Sequence, residues 1–131
     1  MAMQFGTTLR TDMADEVVTA AAGGTIKIFS GAVPANCAAA DPSGALVSDT
    51  LPTPALTNTA GTLSKAGTWS FTGDAAGTAA SFRLYTSGAV CFAQGSVTAT
   101  GGGGDMTIDN TSIAVGQAGE VLTVSIVVGG A

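Results

Sequence analysis

The chain has 131 residues, one domain's worth, with four basic residues against nine acidic ones, a net charge of −5 and no histidine. Those numbers exclude a basic nucleic-acid footprint, a Ser-His-Asp or Cys-His relay and any imidazole metal ligand. Ala, Gly, Thr and Ser make up more than half of the residues, while Val, Ile, Leu and Phe make up about a fifth. The charge is too small to keep such a chain expanded, so the composition predicts a folded domain with a thin core.

The N-terminal stretch Met1–Gly6 has neither a basic nor an apolar segment of the kind that opens a signal peptide. No run of 18 apolar residues occurs, so no membrane-spanning helix is expected. Leu9, Met13, Val17 and Ala21 recur every four residues with Val18 beside them, which predicts a helix over Thr7–Ala22. Thr7 or Thr8 is the expected N-cap and Gly23-Gly24 the stop. The helix either stands apart from the β domain or packs along one edge of it.

From Thr25 the apolar period becomes two. Strands are expected at Thr25–Ser30, Ala45–Leu51, Gly67–Thr72, Ala79–Thr86, Ala89–Thr100, Asp105–Asp109, Ser112–Val115 and Glu120–Val128. Ala55–Leu63 reads as an edge strand or loop, and Pro52-Thr53-Pro54 bars a central strand there. Gly31–Ser43 is a loop, closed by the turn Asp41-Pro42-Ser43-Gly44. Inner-face parity flips across Gly95, which predicts a β-bulge at that residue, and Gly101–Gly104 reads as a flexible connection. In the last strand Leu122, Val124, Ile126 and Val128 are expected inside, with Val121 and Val127 on a partly covered outer face. The sum is an all-β fold, an antiparallel β-sandwich of jelly-roll or Ig-like kind with one N-terminal helix. Residues 1–24 form an arm and helix, and 25–131 the sandwich domain.

Few residue groups point to chemistry. The Gly101–Gly104 run lacks the Lys of a phosphate loop and joins strands rather than opening a helix. Asp105, Asp109 and Asn110 could bind calcium only if the strand bent, so they read as turn and strand-end caps. Asp12, Asp15 and Glu16 read as a solvated helix face. Trp69, Phe71, Phe82, Tyr85 and Phe92 could form a sugar-binding platform, but alternating strand aromatics fit core packing better. Tyr85 shares the opposite face with Arg83, and both types favour interfaces. Cys37 and Cys91 could bridge, but two buried thiols are the expectation. No catalytic, cofactor-binding or metal-binding residue is expected.

An Ile-x-Ile strand, "SGAVPANCAAADPSGALVSDTLP", "GTAASFRLYTSGAVCFAQGSVTATGGGGDMTIDNTSIAVGQ" and a Val/Thr-rich final strand together resemble small virion structural proteins of tailed bacteriophages, of the capsid decoration (cement) or head-fibre type. The resemblance implies a non-enzymatic decoration protein on the outer capsid surface, made in the host cytoplasm and bound to the major capsid protein. It implies a homo-oligomer, dimer or trimer, with no cofactor, nucleic acid or membrane as partner. Contacts are expected at Phe5, Leu9 and Met13, at Val33 and Pro34 in the loop, and at Arg83 and Tyr85 on the outer face. The alternative is a tail, fibre or head-spike component that binds host surface glycan.

Overall fold

The switch from a helical period to a period of two at Gly23-Gly24 is where helix gives way to sheet. The computed structural model describes residues 5–127, so Met1–Gln4 of the expected arm and residues 128–131 lie outside it. Helix α1 spans Thr7–Ala21. Its N-cap is Gly6, without a side-chain cap bond, so Thr7 and Thr8 lie inside the helix and do not cap it. At the other end Gly23 takes a φ of +68°, the left-handed stop that glycine adopts without strain. Gly24 then passes so close to the Tyr85 carbonyl that a Cβ there would collide with it.

The buried helix face is Ala14 and Ala21, with Val17 and Val18 packed beside them. The expected Leu9–Met13–Val17–Ala21 stripe therefore holds only at its C-terminal end. Each four-residue step advances about 40° around the helix, so a stripe of such steps winds off the contact line. Leu9 stands in solvent and Met13 is half-buried.

Eleven strands complete the chain: β1 Thr25–Phe29, β2 Ala45–Thr50, β3 Leu56–Thr59, β4 Thr62–Lys65, β5 Trp69–Thr72, β6 Gly77–Thr78, β7 Ser81–Tyr85, β8 Cys91–Ala99, β9 Met106–Ile108, β10 Ser112–Ile113 and β11 Ala118–Val127. The fold is all-β with an N-terminal helix. Nine strands form one curled sheet in the order β2-β1-β7-β8-β9-β11-β4-β3, with β5 also on β11; β6 and β10 form a separate two-stranded ladder. The curl brings β5 back to β2, where the Asp74 N–H donates to the Leu46 carbonyl (2.8 Å) and the Thr72 N–H to Asp49 Oδ2 (2.9 Å). Inside sit Ile26, Ile28, Leu63, Phe82, Leu84, Met106, Ile108 and Val121, with Trp69 donating its indole N–H to the Ala55 carbonyl (2.9 Å). Helix α1 packs against the β3–β4 hairpin at the sheet's edge, where Asn58 donates to Asp15 Oδ1 (2.8 Å).

Three strand-level expectations are corrected and a fourth is resolved. The sheet is mixed, because β8 and β9 pair in parallel, Val97 to Met106 and Ala99 to Ile108. Parallel neighbours usually need a crossover of a dozen residues or more. Here residues 100–105 make the return, packed down on Thr98. A Cβ on Gly102 would lie 2.6 Å from the Thr98 side chain, and the Gly104 N–H donates to Thr98 Oγ1 (3.0 Å). The glycine run is thus an arch in which Gly102 and Gly104 are small because Thr98 leaves no room, while Gly101 and Gly103 take positive φ with open space around them.

The bulge in β8 lies at Phe92, not Gly95. Leu84 faces Ala93 and Tyr85 faces Cys91, which leaves Phe92 unpaired, while Gly95 stays in register with Phe82. In β11 a register shift at Leu122 turns that residue outward, between inward Val121 and Val124. Alternation cannot reveal it, since apolar residues occupy both parities there. Finally, the edge-strand alternative for Ala55–Leu63 holds for β3 at the end of the sheet, and the chain then turns at Ala60 and Gly61, both with positive φ, into β4, which runs to Lys65. The sequence hides this hairpin because Ala replaces the usual Asn or Gly at the first turn position.

Leu122→Ala should cost less than about 1 kcal/mol in urea unfolding, whereas Leu84→Ala, at a site without exposure, should cost about 2–5 kcal/mol. Equal losses would contradict the outward turn at Leu122.

Candidate functional site

Every residue of β7 is buried. Phe82 and Leu84 face the core, so Ser81, Arg83 and Tyr85 must be covered from the other side. The cover is the loop 31–43, whose ends are drawn together by Ser30 N–H to Gly44 carbonyl (2.9 Å) and Gly31 N–H to Ser43 carbonyl (3.0 Å). A compact loop with closed ends needs internal contacts to hold its shape. Asn36 supplies one, its Oδ1 accepting from the N–H groups of Ala38 and Ala39 (3.0 Å each).

Arg83 nails this loop to the sheet. Its Nη2 donates to the Asn36 carbonyl (3.0 Å) and Nη1 to the Ala39 carbonyl (3.0 Å) and Asp41 Oδ1 (2.9 Å). Nε donates to Gln94 Oε1 (3.2 Å), and Gln94 in turn donates to the Pro34 carbonyl (2.7 Å). A planar guanidinium with donors in a fixed fork suits this task, because it reaches several acceptors in one plane. A buried cation is tolerable only when paired and hydrogen-bonded, and these contacts give Arg83 a carboxylate partner and use four of its five N–H donors.

Tyr85 donates its hydroxyl to the same Asp41 oxygen. Lys27 lies over the Tyr85 ring at 4.9 Å and pairs with Asp41 Oδ2 at 3.7 Å. The pairing of β1 with β7 sets Lys27 opposite Arg83, so half of the chain's four basic residues meet one carboxylate. The Tyr85 hydrogen bond, followed by the two cations, holds the Asp41 carboxyl below its ordinary 3.8 against a partial desolvation penalty. Burial, reinforced by the Asp41 hydrogen bond, pushes the Tyr85 phenol up to about 12.

A disulfide joins Cys37 in the loop to Cys91 at the start of β8, with Cα atoms 5.5 Å apart. The expectation of two separate buried thiols is therefore corrected. Sequence spacing cannot pair them, because the loop's path over β7 and β8 is what brings residues 54 positions apart together. Beneath the loop a hollow of about 520 Å³ opens among Thr25, Lys27, Asp41, Ser48, Tyr85 and the disulfide.

The expected contact residues divide. Arg83 and Tyr85, expected on an open outer face, are only 2% and 6% exposed and bind the protein's own loop. The outer face of β7 is closed, and a covering loop with few large apolar residues leaves no periodic trace in sequence. Phe5, Leu9 and Val33 stand in solvent, and Met13 and Pro34 are half-buried. Trp69, Phe71 and Phe82 are buried and form no sugar platform.

Asp105 accepts from the Ser96 N–H (3.0 Å), Asp109 from the Glu120 N–H (3.2 Å) and Asn110 from the Ser112 N–H (2.9 Å). Among the described residues no three His, Cys, Asp or Glu side chains form a group that could hold a metal ion. No described helix is long and apolar enough to cross a membrane. Asp41, Lys27 and Gln94 join the site without a sequence signal for it. Asp41 reads in sequence only as a turn former, and its charge role comes from cross-strand neighbours.

No protein-family model, curated protein or solved structure matches the chain.

Tyr85 is the sole tyrosine, so absorbance titration of its phenol reads this site directly. The midpoint should fall near pH 12, and Asp41→Asn should bring it back toward 10. The raised phenol value means that its contribution to stability is complete below pH 10 and lost as pH rises through about 12. The lowered Asp41 value works the other way: its contribution is complete above the ordinary 3.8 and lost as pH falls below it. A midpoint near 10 in the unaltered protein would contradict the buried hydrogen bond. Replacing both cysteines by serine should lower the unfolding free energy by about 2–4 kcal/mol, measured in urea.

Proposed function

We propose that the chain is a non-enzymatic structural subunit of a tailed-phage particle, a capsid decoration protein that binds the outer capsid surface and holds adjacent major capsid proteins together. One observation carries this reading. A chain poor in large apolar side chains nevertheless leaves seven of them exposed among the described residues: Phe5, Leu9, Val33, Val90, Val115, Leu122 and Val127. In a thin-cored domain, each such side chain kept in solvent is apolar area withheld from the core and available to a neighbour. The buried cation is meanwhile spent on the protein's own loop. Many weak apolar contacts multiplied by copy number suit a clamp repeated across a symmetric shell.

In this reading the two limbs of the curled sheet serve as the layers of a sandwich of jelly-roll or Ig-like kind, and the subunit works as a dimer or trimer. Phe5 and Leu9 at the helix start and Val33 in the pinned loop are its contact points. The subunit acts on the virion surface after assembly in the host cytoplasm.

Particles assembled without the protein should lose DNA at lower temperature or lower salt than complete ones, and Leu9→Asp with Val33→Asp should reduce its occupancy on them. Unchanged capsid stability in its absence would overturn the clamping role. The isolated subunit should also melt below its particle-bound form, because binding adds to a small intrinsic stability. Equal melting temperatures in calorimetry would count against the reading.

A further inference from the structure

The hollow beneath the loop has features that loop anchoring does not require. Arg83, Tyr85 and Asp41 Oδ1 complete the anchor. Asp41 Oδ2 and Lys27 Nζ stand outside it, facing each other across 3.7 Å on side chains 42% and 34% exposed. That separation exceeds a good N–H···O bond, so both groups keep hydrogen-bonding capacity. Thr25 and Ser48 add hydroxyls to the same hollow, and Lys27 and Ser48 are direct cross-strand neighbours. Ala39, Ala40, Ala89, the disulfide and the loop-bound Arg83 also line the hollow. At about 520 Å³ the hollow falls within the range of small-molecule sites.

We propose that this hollow is a binding subsite for a neutral, monosaccharide-sized polyol. Adjacent hydroxyls of a sugar ring lie about one hydrogen-bond length apart. One can donate to Asp41 Oδ2 while its neighbour accepts from Lys27 Nζ, so a vicinal diol bridges the two charges from the open side of the hollow. Each charge then gains a charge-assisted bond in place of a long ion pair. Thr25 and Ser48 bind further hydroxyls, and the C–H face of the ring rests on the alanines. An anionic ligand is disfavoured because Asp41 Oδ2 faces the same space and the Arg83 guanidinium that also lines it is already committed to the loop, and a cationic one because Lys27 does. The subsite differs from the aromatic platform considered from the sequence. It uses polar pairs and small apolar side chains, with the Tyr85 ring already covered by Lys27. It goes beyond the capsid-binding role and does not depend on it.

The test is amide NMR on the oxidised, isolated chain, titrated separately with glucose, galactose, mannose, N-acetylglucosamine, glucuronate and acetate. At least one neutral sugar should give saturable shifts at residues 25–27, 39–41 and 48, with a Kd on the order of 1 mM. Lys27→Met should weaken that binding at least about tenfold while Tyr85 still titrates near pH 12, which shows the loop anchor intact. Ser48→Ala should weaken it by less. Absence of saturation with every neutral sugar up to about 100 mM would overturn the proposal. So would saturation by glucuronate or acetate alone, shifts confined to another surface, or undiminished binding in a folded Lys27→Met chain. None of these outcomes bears on capsid stability, so the two readings fail separately.

Discussion

The Arg83 guanidinium is the constraint on which the outer half of the molecule depends. It is the one fully buried cation among the described residues, and it cannot shed its proton to escape desolvation. Its donors must therefore be met, and the loop 31–43 meets them with two carbonyls and a carboxylate. The dependence runs both ways. Without the loop the guanidinium would face solvent from a half-open sheet. Without the guanidinium the loop would hold to β7 and β8 only through Tyr85, Gln94, Ser81 and the disulfide.

This arrangement lets a thin-cored chain build a two-sided strand. The inner face of β7 uses Phe82 and Leu84 in the ordinary apolar way. The outer face uses hydrogen bonds to a loop made mostly of alanine, asparagine and proline, which has little apolar area to offer. Covering a strand by polar anchoring needs few large side chains, and the chain has few. The same economy appears at the helix, whose fully buried residues are Ala14 and Ala21, and at Gly102 and Gly104 against Thr98. Close approach by small residues replaces bulk throughout.

The hollow is a consequence of the same geometry. The loop is pinned at Asn36, Ala39 and Asp41, and the hollow lies between it and residues Thr25 and Lys27 of β1 and Ser48 of β2. A sheet and a disulfide-bonded, hydrogen-bonded loop both contribute to its lining, and such constraints favour binding because they reduce the order that must be gained when a ligand enters. The apolar side chains proposed for capsid contact include Val33 in that loop, so one rigid element serves both proposed surfaces.

What the sequence determined by itself was local. The helix over Thr7–Ala21 and the positions of most strands, though not of β4 or β6, come from periodicity and from Gly and Pro punctuation, which act over a few residues. The alternation of Ile26 and Ile28, Trp69 and Phe71, and Phe82 and Leu84 was legible as one face each. That Arg83 and Tyr85 share the opposite face was legible too. What covers that face was not, because the covering loop lies more than 40 residues away and binds through carbonyls and one carboxylate that carry no pattern. The Cys37–Cys91 bond, the parallel pairing of β8 with β9 and the bulges at Phe92 and Leu122 share this character. Each is settled by which strands become neighbours, and that choice belongs to the packing of the whole chain rather than to any segment of it.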